Sequence, residues 1–128
     1  MENYTKFSLA VTIVNIKMKK ILILLALTLS MLQAQSVYVK YRGTVNTDTM
    51  TTKNIGYSSF VNDIKYNAKH QYLLVKLNST YYHYCAVPQR TVNNWISSSS
   101  LGRYYNSNIK GNYDCRYNYM PTDNQLRR

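Results

Sequence analysis

Two alternating stretches separated by two turn-forming residues constrain the fold of this chain more than any other feature. Tyr72–Leu77 and Thr80–Val87 are rich in aromatic, aliphatic and β-branched residues, and Asn78-Ser79 lies between them. This pattern predicts a β-hairpin with a two-residue loop. In such a hairpin Leu77 faces Thr80, so every other residue of the two strands has a defined partner.

The predicted register separates the hairpin into two faces, because side chains alternate along a strand. One face is apolar and is expected to cover the core, and it consists of Leu73, Val75, Tyr82 and Tyr84. Tyr81, His83 and Cys85 share the opposite face. We predict that these three residues point away from the core.

The segment before the hairpin alternates as well. Ser59–Tyr66 is predicted to form a strand that places Phe60 and Ile64 on the core side. The three strands follow one another with short turns, which favours an antiparallel meander.

Two short helices are predicted after the hairpin. Pro88 suits the first position of a helix, and three apolar residues follow at helical spacing: Val92, Trp95 and Ile96. Ser100 is a candidate N-cap for a second helix, Leu101–Ile109, and Gly111 follows its end. The expected fold class is α+β, a three-stranded antiparallel β-meander followed by two short helices packed on one face.

The N-terminal residues 1–34 resemble a secretory signal peptide. Met18-Lys19-Lys20 is a short basic region, Ile21–Leu29 is apolar, and Ala34 is a small residue at a suitable cleavage point. A spanning helix needs about 20 apolar residues, and this run is shorter. We therefore expect an exported protein, periplasmic or extracellular, with no stable membrane span after removal of the signal. Residues 1–17 would then precede the true start of translation.

The remaining chain divides into three predicted parts. Residues 35–56 are polar and rich in threonine, and they are expected to form an extended leader with one strand at Val37–Tyr41. Residues 57–116 are the predicted compact domain. Residues 117–128 show no packing pattern and are expected to form a flexible tail.

Three stretches within the compact domain resemble the KTSC domain, a small domain named for its occurrence at the end of some lysyl-tRNA synthetases. They are "SSF" at 58–60, "YYHYCAVP" at 81–88 and "SLGRYYNSNIKG" at 100–111. The matching positions are Ser58, Ser59, Tyr82, Tyr84, Val87, Pro88, Ser100, Gly102, Tyr104, Tyr105, Asn106 and Ile109. The resemblance covers about residues 57–116 and implies RNA binding, the role suggested for the family. Asn78-Ser79 stands where the family usually has a glycine.

The two cysteines of the chain, Cys85 and Cys115, are predicted to form a disulfide. Export would place them in an oxidising compartment, where a lone pair is most simply a bonded pair. The resemblance agrees, since some exported KTSC proteins carry two cysteines together. Two free thiols are one alternative. A zinc site made of His83 and both cysteines is the other, but zinc sites usually show closer paired spacing. We expect neither a metal nor another cofactor.

The charge of the chain favours an anionic partner. Residues 35–128 contain twelve Lys and Arg against four Asp, a net charge of +8, and the whole chain has 14 tyrosines. Tyrosines stack on bases and cations bind phosphates, so the predicted contacts are Lys76, Tyr81, Arg103, Tyr104 and Lys110. Tyr104 could instead pack beside Tyr105, with Arg103 and Lys110 on a solvated helix face.

The sequence shows no catalytic constellation, and we expect no enzymatic activity. The two histidines, His70 and His83, lie in a predicted turn and on a strand, without a base and its partner at local spacing. The leading prediction is a non-catalytic binding module for nucleic acid or another polyanion. A protein-interaction module that acts on another exported protein is the alternative, and a small secreted ribonuclease using His83 is third.

Overall fold

The computed structural model describes residues 2–29 and 34–128, with the side chains of residues 11–28 and 34–128. The chain divides into two units, Met1–Gln33 and Ala34–Arg128. The first unit contains one helix, α1 (Glu2–Leu29), whose described side chains are exposed. Within the described ranges, no helix combines the length and apolar character that crossing a membrane requires. The predicted signal peptide includes residues 1 and 30–33, which lie outside the described residues, and it stays a prediction.

The second unit is built on a six-stranded mixed sheet. Its strands are β1 (Ser36–Val39), β2 (Gly43–Asn46), β3 (Thr51–Thr52), β4 (Val61–Asn67), β5 (Tyr72–Leu77) and β6 (Thr80–Tyr84). Their order in the sheet is β2-β1-β6-β5-β4-β3. All neighbouring pairs are antiparallel except β1 and β6, which run parallel and share the single pairing Val39↔Tyr81.

The sheet curls strongly because its two edge strands are consecutive in the chain. β2 and β3 lie at opposite edges but are joined only by residues 47–50. Five residue steps span at most about 18 Å, whereas six strands in a flat sheet would hold their edges about 24 Å apart. The edges must therefore approach each other, and the sheet encloses an inner face.

The curl explains why the central strand β5 is buried on both faces. Leu73 and Val75 lie in a core formed with the helices, and Tyr72 and Leu74 lie in a second core inside the curl. All four side chains are fully buried. The second core consists of Val39, Val45, Tyr72, Leu74, Cys85 and Leu126. The face that the sequence suggested to be outward is largely the interior of the curled sheet.

The helices after the hairpin cover the outer face of the sheet. They are α2 (Gln89–Ile96), α3 (Leu101–Tyr104) and a π-helical turn (Tyr105–Ile109) that continues α3. Ser100 caps α3 by accepting a hydrogen bond from the backbone N–H of Arg103 at 3.3 Å. The indole N–H of Trp95 donates to the carbonyl of Leu101 at 2.9 Å and so joins the two helices.

The α+β class and the hairpin register are confirmed, but the three-stranded meander was too simple. Leu77↔Thr80, Val75↔Tyr82 and Leu73↔Tyr84 pair as predicted. Residues 35–56, expected to be a leader with one strand, contribute β1, β2 and β3. These strands are held by backbone pairing and bury only a few apolar side chains. The polar composition of the segment therefore did not reveal them.

The C-terminal segment differs from the expected flexible tail. Its last helix, α4 (Asp123–Leu126), begins with a reciprocal capping box between Thr122 and Gln125. Leu126 is fully buried in the second core, and its carbonyl accepts a hydrogen bond from the Thr49 hydroxyl at 2.5 Å. One buried leucine and one cap therefore fix a segment whose sequence has no periodic pattern.

Candidate functional site

The five predicted contact residues do not form one site. Lys76 and Tyr81 pair across β5 and β6, with the ammonium group of Lys76 5.7 Å from the Tyr81 ring. The Tyr81 hydroxyl donates a hydrogen bond to the Asp63 carboxylate, which also pairs with Lys65 at 3.2 Å. Burial and this hydrogen bond raise the pKa of Tyr81 above its ordinary value. A carboxylate at the centre makes this cluster a poor site for a polyanion.

Arg103 and Tyr104 lie on α3, beside a shallow depression of about 210 Å³. The Tyr104 ring stacks on Trp95 with centroids 6.4 Å apart and planes 13° apart. Its hydroxyl donates to the Thr91 carbonyl at 3.3 Å. One face of the ring is therefore already occupied, whereas Arg103 is exposed.

Lys110 follows the π-helical turn and lines a larger cleft, which we call the hairpin cleft. Its volume is about 610 Å³. The lining residues come from the hairpin and the π-helical turn: Phe60, Leu77, Asn78, Ser79, Thr80, Tyr82, Tyr105, Asn106 and Lys110. Asn78 has a φ of 53°, in the left-handed region where glycine is favoured and asparagine is tolerated.

A second cleft, which we call the tyrosine cleft, lies along the part of β6 that follows its single pairing with β1, Val39↔Tyr81. It has a volume of about 680 Å³. Its lining residues come from both faces of β6, from the turn after β1 and from the segment after the π-helical turn. They are Tyr41, Tyr82, His83, Tyr84, Gly111, Asp114, Cys115, Arg116 and Met120. The backbone N–H of Lys40 donates to the Tyr81 carbonyl at 2.9 Å, and the cleft begins at the next residue, Tyr41.

Cys115, which lines the far wall of the tyrosine cleft, is joined to Cys85 by a disulfide. The two Cα atoms lie 4.9 Å apart, and the backbone N–H of Cys85 donates to the Tyr113 carbonyl at 2.9 Å. The predicted pairing is confirmed, so neither sulfur is free to ligate zinc as the alternative required. Across residues 2–29 and 34–128, no group of three or more His, Cys, Asp or Glu side chains could hold a metal ion.

Tyr82 belongs to both clefts, although the sequence suggested that it lies in the core. Its side chain is half-buried and is absent from the core that Leu73 and Val75 share. The ammonium group of Lys40 lies 5.7 Å from the Tyr82 ring and 5.2 Å from the Tyr41 ring. These two tyrosines raise the pKa of Lys40, so the group stays charged.

His83 lines the tyrosine cleft with one ring nitrogen already engaged. Its Nδ1 is 3.1 Å from the Tyr72 hydroxyl, and the Arg42 guanidinium lies 4.8 Å from the centroid of the Tyr72 ring. Burial, assisted by Arg42 and opposed by Asp114, holds the pKa of His83 below its ordinary value. Burial also raises the pKa of Tyr72 to about 12. At neutral pH His83 is therefore uncharged and its ring is oriented by Tyr72.

The opposite side of the tyrosine cleft carries an ion pair. The Arg116 guanidinium donates to Oδ1 of Asp114 at 3.1 Å and to Oδ2 at 2.6 Å. These hydrogen bonds lower the pKa of Asp114 to about 2. The cleft thus offers a permanent carboxylate and a permanent guanidinium beside aromatic walls.

Sequence reasoning found Lys110 but missed Lys40 and Tyr41. Both lie in the segment predicted to be a leader, and they reach Tyr82 only because β1 runs parallel beside β6. A single parallel pairing between strands about forty residues apart leaves no local pattern in the sequence. The adjacent Lys40-Tyr41 pair, basic beside aromatic, was the one available signal.

Comparison with known proteins gives a family match over residues 57–113, which is less than half of the chain. This segment matches the KTSC domain, close to the resemblance stated for residues 57–116. A crystal structure of a KTSC domain protein from Yersinia pestis is similar, at 27% sequence identity and a TM-score of 0.46. That similarity covers 50% of this chain and 93% of the other. No curated protein matches the chain.

Proposed function

We propose that this chain, which carries a KTSC domain at residues 57–113, is an exported, non-catalytic binding module for an anionic polymer. The proposal rests on the residues that surround Tyr82. Its ring lies between Lys40, 5.7 Å away, and the hairpin cleft that Lys110 lines. We call Lys40, Tyr82 and Lys110 the Tyr82 surface. Tyr82 is half-buried, so its ring can stack on a ring of the polymer. The two cations can bind the polymer's phosphates.

The charge distribution supports the proposal. In residues 34–128 three of the four carboxylates are in ion pairs, with Arg42, Lys65 and Arg116. The fourth, Asp48, accepts hydrogen bonds from the Gln35 N–H at 2.8 Å and the Asn46 amide at 3.0 Å. Nine of the twelve Lys and Arg residues in this range therefore lack a carboxylate partner. This excess attracts a polyanion over distances comparable to the Debye length.

The predicted contacts take different parts in the proposal. Lys110 stays a direct contact. Arg103 and Tyr104 are proposed as an outer contact for a polymer long enough to leave the hairpin cleft and follow α3. Lys76 and Tyr81 are assigned to the stability of the sheet, because Asp63 occupies the Tyr81 hydroxyl.

Export is part of the proposal and rests on two features. An apolar stretch follows Met18-Lys19-Lys20, and Cys85 is bonded to Cys115, which is typical of proteins in oxidising compartments. The partner would then be a polymer outside the cytoplasm, such as extracellular nucleic acid or an acidic polysaccharide.

The test is the salt dependence of binding. The disulfide-bonded protein is titrated into labelled single-stranded RNA, single-stranded DNA and heparin at about 50–200 mM salt, where several phosphate contacts change affinity by orders of magnitude. The Lys40→Ala/Lys110→Ala variant is expected to lower the slope of log K against log salt by about 1.4 for the single strands, since each lost phosphate contact removes about 0.7.

The matched control is Lys69→Ala/Arg90→Ala, which removes the same charge. Lys69 is in the β4–β5 turn and Arg90 starts α2, both exposed and at the opposite end of β5 from the Asn78-Ser79 turn. Equal losses in the two variants would mean that only net charge matters and would overturn the Tyr82 surface. No binding of any polymer at 50 mM salt would overturn the function itself.

A ribonuclease is the second candidate, favoured by the state of His83. In the tautomer in which the Nδ1–H of His83 donates to the Tyr72 oxygen, the uncharged imidazole has Nε2 available as a general base, in the cleft that Arg116 also lines. Scoring the RNA titrations for strand cleavage tests this candidate. Cleavage that is lost in His83→Ala would establish it, and intact RNA after long incubation would exclude it.

A further inference from the structure

We infer that the tyrosine cleft holds one unstacked base of a single-stranded nucleic acid, which makes nucleic acid the anionic polymer that the protein binds. The inference rests on the proposed function, because the base is expected to enter while the phosphates lie on the Tyr82 surface. It goes further by separating nucleic acids from polyanions without bases, such as heparin and polyphosphate.

The walls of the cleft suit a flat aromatic ring. Tyr41, Tyr82 and Tyr84 line it, and Tyr84 is fixed by a hydrogen bond of 2.5 Å between its hydroxyl and that of Tyr105. The Tyr41 side chain is 83% exposed, so most of its ring is accessible to a ligand. A volume of about 680 Å³ falls within the range of about 300–1,000 Å³ typical of small-molecule sites.

The charges in the cleft favour a base over a phosphate. Asp114 lines the cleft as a carboxylate, and its charge is balanced by Arg116. A phosphate placed there would be repelled by Asp114 and would compete with it for Arg116. A base avoids this conflict, because the amino groups of cytosine, adenine and guanine donate to carboxylates. His83 adds an uncharged ring at the same edge.

The phosphates have a separate site next to the cleft. The Lys40 ammonium lies 5.2 Å from the Tyr41 ring and 5.7 Å from the Tyr82 ring. A phosphate bound to Lys40 therefore has an aromatic side chain on either side, and the base attached to it can turn into the tyrosine cleft. The next phosphates can follow the hairpin cleft toward Lys110. Stacking and charge thus act on different parts of one strand.

The experiment compares two oligonucleotides that differ only in their bases. Fluorescence anisotropy measures binding of the full disulfide-bonded chain to a 12-nucleotide DNA of mixed sequence and to an abasic strand of equal length. We expect the base-bearing strand to bind on the order of 10-fold more tightly, the size of one or two stacked bases. Heparin is included to measure the purely electrostatic contribution.

Two variants locate the base. Tyr41→Asn removes the ring and suits the left-handed backbone at this position, where φ is 69°. It is expected to abolish the preference for the base-bearing strand without changing binding of the abasic strand. Tyr57→Ala is the control, since Tyr57 is 97% exposed and lines neither cleft. It should leave both affinities unchanged.

The outcomes separate the two proposals. Equal affinity for the two strands, with a normal salt slope, would overturn the base site and leave the anionic-polymer function intact. No binding of either strand or of heparin would instead overturn the function on which the base site rests. A Tyr41→Asn variant that weakens both strands equally would show that Tyr41 contacts the backbone, which also overturns the base site.

Discussion

Reduction of the Cys85–Cys115 disulfide is expected to destabilise the second unit by about 3.6 kcal/mol. The bond joins residues separated by 30 positions. The loop-entropy relation for a closed loop of that length gives about 12 cal/mol/K, which is about 3.6 kcal/mol at 25 °C. Native proteins typically have a free energy of unfolding of only about 5–15 kcal/mol. For a unit of fewer than 100 residues, this loss would be a large fraction of the free energy of unfolding.

Urea unfolding with and without a reductant measures this loss. With an m-value of about 1–3 kcal/mol/M for a small protein, the midpoint should fall by about 1.2–3.6 M urea on reduction. Reduction keeps both sulfur atoms in place, so the fully buried Cys85 leaves no cavity in the second core. The comparison therefore isolates the covalent link.

The same experiment has a matched control and a functional readout. A Cys85→Ala/Cys115→Ala variant should respond to the reductant by less than 0.5 kcal/mol, which is about the size of a neutral surface change. Reduced wild-type protein should also lose its preference for base-bearing strands, since the disulfide holds the wall of the tyrosine cleft that Asp114 and Arg116 occupy. A midpoint shift below about 0.3 M urea would refute the loop-entropy reasoning for this protein.

Two further predictions concern the C-terminal helix and His83. Leu126→Ala should cost about 2–5 kcal/mol, because the side chain is fully buried in the second core, and should lower Tm by at least about 8 °C in calorimetry. The exposed Asn124→Ala in the same helix is its control, and a Leu126→Ala effect below 0.5 kcal/mol would mean that the tail does not dock. The free energy of unfolding should fall as the pH drops below 6.5, because unfolded chains bind a proton that folded His83 resists owing to burial and Arg42. His83→Gln should make that fall shallower in urea titrations at pH 7.0 and 5.5, and an identical pH dependence would contradict the lowered pKa.

Local patterns allowed the hairpin and the outer core to be predicted from the sequence. Alternation on both sides of Asn78-Ser79 set the register, since a slip of one residue would have placed Leu73 and Val75 on the wrong face. Val92 and Trp95 lay at positions where helical spacing pointed to the core, and both are buried. In each case the decisive contacts join residues close in sequence.

The curl of the sheet could not be predicted in the same way. It depends on β1 pairing with β6 through Val39↔Tyr81 and on β3 pairing with β4 through Thr51 and Thr52. These contacts use backbone groups, which every sequence has, and few apolar side chains. Without the curl the face of Tyr81, His83 and Cys85 was expected to be outward, and Lys76 and Tyr81 therefore became candidate contacts.

Of the residues in the candidate site, the sequence predicted Lys110 as a contact and Cys115 as a bonded cysteine. Lys110 and Tyr82 belong to residues 57–113, whereas Lys40, Tyr41, Cys115 and Arg116 come from the flanking chain. A lysine on the end of a predicted helix could be recognised as a cation free to bind a partner. The pairing of Lys40 with Tyr82 required the parallel strand, so sequence reasoning assigned Tyr82 to the core.

This division separates two properties of the proposed site. The matched segment supplies the hairpin cleft with Lys110, which can attract any polyanion. The flanking chain supplies the mouth of the tyrosine cleft through Tyr41 and its far wall through Cys115 and Arg116. In the proposed function, the matched segment contributes electrostatic attraction through Lys110, and selection for bases depends on the flanks. Since Lys40 lies between the rings of Tyr41 and Tyr82, it joins the two properties in one residue: Lys40→Ala should reduce both the salt slope and the preference for bases, whereas Lys110→Ala should reduce the slope alone.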